Sequence, residues 1–182
     1  VAHYDVQDLQ CCVHYQAADV ALFQDLAQTG KLYPYLLNEL QKADITLNLE
    51  QLKRKFLCDV MAKEKKRTRD GRAYEYPSQV EDVFRTIFPT VYRFIREFNR
   101  NGWEHENLIR ELQRQESAFV IETVAADLLT RYPRMFCLSL HDAIYSAERD
   151  IPKVLAAFEA GFDLIDFWLN LKVSPMHLKA AS

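Results

Sequence analysis

Met135-Phe136-Cys137-Leu138-Ser139-Leu140 is followed by His141-Asp142 and then by Ala143-Ile144-Tyr145-Ser146. The first run is apolar, follows Pro133 and is too short for a helix. The second resumes apolar residues at once. A strand, a polar tip and a second strand is the reading that fits this change of period. An ionised carboxylate at the end of an apolar strand needs compensation, so Asp142 is a candidate ligand or catalytic group. The alternative is turn chemistry, since Asp is common at hairpin tips.

Upstream the pattern is helical. Gly is scarce, with four residues, and no repeat or low-complexity linker divides the chain. Helices are expected from Asp19 to Gln28 with Gly30 as a stop, from Tyr33 to Lys42, and from an Asn48 cap along Leu49, Leu52, Phe56 and Val60. Ser78 is placed to cap a helix carrying Val80, Val83, Phe84 and Ile87, which Phe88-Pro89 interrupts before Val91, Phe94, Ile95 and Phe98. The aromatics of this region read as core. A long helix is expected from Glu104 to Arg131, with Leu108, Leu112, Phe119, Ile121 and Val124 inside. A last one follows an Asp150 cap and Pro152, with Val154, Leu155, Phe158, Phe162, Ile165 and Leu169 inside. Val1 to Asp5 reads as a short strand ending in a carboxylate. The fold class is α+β, mostly α: a small antiparallel sheet with a large helical insertion.

Of the 182 residues, 49% are apolar and 27% charged, an ordinary globular composition, and one domain of this length can bury a substantial core. No apolar run is long enough to span a bilayer, and no leader pattern opens the chain. The chain begins on Val1 in strand-like residues, so a piece of a longer protein is expected. Cys11, Cys12, Cys58 and Cys137 lack metal-site or disulfide spacing, and reduced thiols in a cytoplasmic protein are the expectation. The net charge is −3, yet Lys53 to Arg72 holds nine basic and three acidic residues, a local excess of +6. Such a concentration points to an anionic partner.

Asp5-Val6-Gln7-Asp8-Leu9-Gln10 resembles the first palm motif of A-family DNA polymerases, and Leu138-Ser139-Leu140-His141-Asp142-Ala143 resembles the last, an apolar strand ending in His-Asp-Glu. Between them, Asp19 to Tyr33, Phe88-Pro89 and Leu112-Gln113-Arg114-Gln115-Glu116-Ser117 stand in the family's order. The resemblance extends to the divergent relatives carried by phages and mobile elements. It departs from the pattern at Ala143, where the family has Glu, and in the helix Leu49–Arg67, which lacks Arg-x-x-x-Lys.

The resemblance implies a palm over about residues 1–45 and 104–182 and fingers over about 46–103. It implies template-directed addition of deoxynucleoside triphosphates to a primer, with Asp5 and Asp142 binding two magnesium ions. Two carboxylates about 4 Å apart repel by roughly 4 kcal/mol at an effective dielectric of 20, which a divalent cation reverses. Lys55, then Arg54, would meet the triphosphate; Gln10 would lie under the sugar and His141 near the primer terminus. Gln113 and Glu116, with Lys66 and Arg67, would contact primer-template, although all four also suit a solvated polar face. The rival reading is a polymerase-derived domain that binds nucleic acid or a replication partner without catalysis.

Overall fold

A computed structural model describes residues 18–140, 143–166 and 171–174. The described residues are mostly helical, with two small antiparallel sheets of two strands each. Among them no helix is long and apolar enough to cross a membrane. The chain divides into two compact units, with the boundary between Glu116 and Ser117.

In the first unit, α1 (Ala18–Gln28) stops at Gly30, whose φ of +68° reverses the chain into α2 (Leu32–Lys42). Asn48 caps α3 (Leu49–Lys55) reciprocally: its side chain accepts from the Gln51 N–H at 2.9 Å, and its own N–H donates to the Gln51 side chain at 3.0 Å. Leu49 is exposed, because it precedes the first full turn; Leu52 is fully buried. The helix then widens into a π-helical turn over Phe56–Met61, which turns Phe56, Asp59 and Val60 inward together.

A short hairpin follows, β1 (Lys66–Arg67) paired with β2 (Ala73–Tyr74). Ser78 then caps α4 (Gln79–Ile87), and Phe88-Pro89 separates it from α5 (Pro89–Phe98). The Thr90 N–H at the start of α5 is satisfied from far away, by Asp19 Oδ2 at 2.7 Å. Phe84 and Phe88 form the centre of the core, where they meet Phe23 edge to face. That core joins Leu36 and Leu40 with Leu52, Val60, Ile95 and Leu108, so residues on both sides of position 45 share it. The next helix, α6 (Asn107–Ala118), buries Leu108 but leaves Leu112 exposed.

In the second unit a π-helical segment over Phe119–Ala125 leads into α7 (Ala126–Arg131). The wider turn shifts the apolar stripe by one position, burying Val120 with Val124 and leaving Ile121 exposed, where a regular α-helical period places Ile121 inside. Strands β3 (Cys137–Leu140) and β4 (Ala143–Ser146) pair antiparallel, Cys137 with Ser146 and Leu140 with Ala143. This is the expected strand pair, in a register that leaves only positions 141 and 142 between the strands. Helix α8 (Ile151–Ile165) packs Val154, Phe158 and Phe162 on Val120, Val124 and Leu128. Gly161 allows the close approach: a Cβ there would lie 3.0 Å from the Phe119 ring, which stacks on Phe162. Asp150 stands at the start of α8 but caps no backbone N–H; its carboxylate takes the Lys153 ammonium at 2.6 Å instead. Ile165 is partly exposed at the other end.

Candidate nucleic-acid interface

The loop that carries the basic hairpin is held from beneath by buried polar groups. Lys63 is 2% exposed, and its ammonium pairs with Glu81. The second Glu81 oxygen accepts from the Tyr92 hydroxyl at 2.7 Å. Asp59 accepts from Ser78 Oγ at 2.7 Å and from the Tyr76 hydroxyl at 3.0 Å. Arg96 pairs with Glu75, and Asn99 donates to the Met61 carbonyl at 2.7 Å while accepting from the Leu108 N–H at 2.9 Å. Burial, reinforced by the bond to Asp59, pushes the Tyr76 phenol well above its ordinary range; burial and the bond to Glu81 do the same to Tyr92. Each of these buried charges has a partner, as a stable site requires.

On this base stands a hairpin with no buried face. Lys66, Arg67, Ala73 and Tyr74 are all exposed. Its turn closes through Thr68 N–H to the Arg72 carbonyl at 2.8 Å and Gly71 N–H to the Thr68 carbonyl at 2.9 Å, with Gly71 at φ +81°. Beside the hairpin lies Trp103, 49% exposed, whose ring centroid is 4.7 Å from the Arg67 guanidinium and 5.6 Å from the Lys65 ammonium. The Lys65 N–H donates to the Gly102 carbonyl at 3.2 Å, tying the root of the hairpin to the turn that presents the indole.

Cations without a carboxylate partner among the described residues also occur singly, at Lys31, Arg93 and Arg134, but on this surface they are grouped, with Arg72–Asp70 the ion pair of the hairpin turn. Arg85, Arg100, Arg110, Arg114 and Arg131 each meet a carboxylate three or four residues away in sequence. Lys65, Lys66, Arg67 and Arg69 have no carboxylate partner among the described residues, and neither do Lys53, Arg54 and Lys55. Those last three lie at the end of α3 between buried Leu52 and Phe56 and are exposed. Lys53 lies 5.6 Å from the Tyr33 ring.

Several sequence expectations are relocated by this geometry. Lys66 and Arg67 lie on a strand and not on a helix Leu49–Arg67: helical structure ends at Met61, since Ala62 leaves it (φ −133°, ψ 44°) and Lys63 to Arg67 offer no apolar position for a helix to bury. Lys63, one of the nine basic residues between Lys53 and Arg72, is a buried anchor and not part of the exposed basic surface. Arg54 and Lys55 are exposed as a nucleotide contact requires; Gln113 and Glu116 are exposed on α6. Asp5, Gln10, His141 and Asp142 lie outside the described residues. Among the described residues, no group of three or more His, Cys, Asp or Glu gathers as a metal site would. Trp103 and Lys65 were not singled out by the sequence pattern; the signal was an aromatic after Asn101-Gly102, a turn whose position in space the sequence alone does not give. Compared with protein-family models, curated proteins and solved structures, the chain finds no match.

Proposed function

We propose that the chain is the core of a template-directed DNA polymerase. The observation that carries the reading is the concentration of cations without carboxylate partners, exposed at Lys53–Lys55, Lys66, Arg67 and Arg69 and half-buried at Lys65, in a chain whose net charge is −3. Nucleic-acid phosphates and a nucleoside triphosphate are the anions that such surfaces serve. The β3–β4 register supports it too, since it leaves His141-Asp142 as the link between Leu140 and Ala143, in the place of the family's palm motif.

In this reading Asp5 and Asp142 hold two magnesium ions, which supply charge neutralisation and an acidified primer 3′-hydroxyl. Lys55 or Arg54 binds the β- and γ-phosphates and offsets charge on the departing pyrophosphate. Gln10 and His141 orient the sugar and the primer terminus. Gln113 and Glu116 contact primer-template, which Lys66 and Arg67 hold through its backbone.

Primer extension with magnesium, for wild type, Asp5→Ala and Asp142→Ala, tests it. Loss of extension in both variants with primer-template binding retained is expected; extension by either variant at the wild-type rate overturns its assignment. A second reading, a polymerase-derived domain that binds nucleic acid without catalysis, is favoured by Ala143 in place of Glu. Wild type that binds primer-template but extends nothing would select it.

A further inference from the structure

We propose that the groove between the β1–β2 hairpin and Trp103 is a binding site for single-stranded DNA, with Trp103 as the stacking platform and Lys65, Lys66 and Arg67 as phosphate contacts. The inference rests on the nucleic-acid reading above but not on its chemistry, and it places a base-stacking contact at a residue for which that reading has no role. Three observations carry it.

The first is what the hairpin lacks. Strands of two residues with both faces exposed bury little apolar surface, mainly part of Tyr74, so the hairpin contributes little to the core. It is nevertheless rooted in a buried polar network, through Lys63 beneath it and the Lys65–Gly102 backbone bond beside it. A surface fixed at that cost in buried charge, whose turn carboxylate Asp70 pairs with Arg72 and leaves Lys66, Arg67 and Arg69 without carboxylate partners, is preorganised for an anion.

The second is the indole. Trp103 is about half exposed, and it shares the groove with Lys65, Lys66, Arg67, Tyr74 and His105 and with one carboxylate, Glu64, against three cations. A guanidinium lying over an indole offers a planar cation on which a base can stack, next to the exposed ring itself. Duplex DNA hides its base faces, so an aromatic here gains only from an unpaired strand.

The third is rigidity between the two walls. Gly102 sits at φ +88°, and a Cβ there would lie 2.9 Å from the Lys63 carbonyl oxygen. The backbones of the hairpin root and of the Trp103 turn are thus in direct contact, which holds the cations and the indole at a fixed separation.

The test is equilibrium binding of a labelled oligo-dT and of a labelled blunt duplex to wild type, Trp103→Ala, Trp103→Phe and the triple variant Lys65→Ala/Lys66→Ala/Arg67→Ala, over a series of salt concentrations. Trp103→Ala is expected to weaken oligo-dT binding on the order of tenfold with an unchanged salt slope, and Trp103→Phe to restore most of it. The triple variant is expected to flatten the salt slope for oligo-dT by about 2, the release of three phosphate contacts at about 0.7 each. In a Trp168→Phe background, where Trp103 is the one tryptophan, oligo-dT should quench the fluorescence of the folded protein. Wild-type oligo-dT affinity in Trp103→Ala, no quenching, or equal losses for duplex and single strand in Trp103→Ala would overturn the site. Primer extension separates the two readings: Asp142→Ala should abolish extension and leave oligo-dT binding intact, whereas a Trp103→Ala protein that binds and extends normally sinks this site and spares the polymerase.

Discussion

The ammonium of Lys63 is buried against the carboxylate of Glu81, eighteen residues away, in a stretch where the neighbouring Lys66, Arg67 and Arg69 face solvent. Removing one member of such a pair strands the other in a low-dielectric site. Lys63→Met and Glu81→Met are each expected to destabilise the protein by about 3–5 kcal/mol in urea unfolding. Lys63→Met/Glu81→Met should cost clearly less than the sum of two such losses, because neither charge is left unpaired. A double variant as destabilised as the summed singles would mean that the pair is not the source of the effect.

Gly71 and Gly102 provide a matched comparison, at φ +81° and +88°. A Cβ at position 71 meets nothing within 4 Å, so Gly71→Ala carries only the backbone strain of the left-handed region, about 1–2 kcal/mol. At Gly102 the same strain is joined by backbone contacts of 2.9 Å to the Lys63 carbonyl oxygen and 3.3 Å to the Lys65 nitrogen, which no rotamer relieves. Gly102→Ala should therefore have the lower thermal midpoint of the two. Equal midpoints would show that the hairpin root and the Trp103 turn are not in contact.

Helix placement was legible because the punctuation was local: the Asn48 and Ser78 caps, Gly30, and Phe88-Pro89 all end or start helices where the sequence puts them. The β3–β4 pair was legible because Pro133 and a six-residue apolar run exclude a helix. Leu52, Phe56 and Val60 are buried as their spacing predicts, through the first π turn; what failed was the apolar spacing in the long helix expected from Glu104 to Arg131, where Leu112 and Ile121 are exposed. One inserted residue exchanges Ile121 for Val120 at the core, and hydrophobic spacing carries no mark of the insertion. Lys63 was illegible for a related reason, since a lysine among lysines gains its burial from a carboxylate distant in sequence. Of the candidate site, the basic excess was readable and its division between a helix end and a hairpin was not. The expected pairing of Asp5 with Asp142 involves residues outside those described.

Alkaline pH should weaken the fold through two phenols. Tyr76 and Tyr92 both titrate above their ordinary value of 10.0 in the native protein, mainly from burial and then from the carboxylates that accept their protons. The folded chain thus holds these protons more tightly than the unfolded chain. The stabilisation is fully present below pH 10 and declines as pH rises above it, while the unfolded phenols ionise and the folded ones do not. Urea midpoints should fall between pH 10 and pH 11, and the fall should be shallower in Tyr76→Phe/Tyr92→Phe. An unchanged alkaline slope in that variant would place the loss elsewhere.

Asp19 connects the start of the described chain to the hairpin through the helix it serves. Its carboxylate accepts from the Thr90 N–H at the N-terminus of α5, a helix whose Phe88 cap position has no side chain able to do so. Asp19→Ala removes the acceptor and is expected to cost about 1 kcal/mol, whereas Asp19→Asn keeps an acceptor oxygen and should lose only part of that. Further along the same helix, Tyr92 and Arg96 hold Glu81 and Glu75, which fix the loop from Lys63 to Ser78. Fraying at Thr90 should therefore travel to the hairpin root. Amide hydrogen exchange gives the readout: Asp19→Ala should speed exchange at Thr90 and Lys65 together, while the Leu52 amide of α3 keeps its protection. Faster exchange at Thr90 with Lys65 unaffected would show that α5 does not transmit the change to the basic surface.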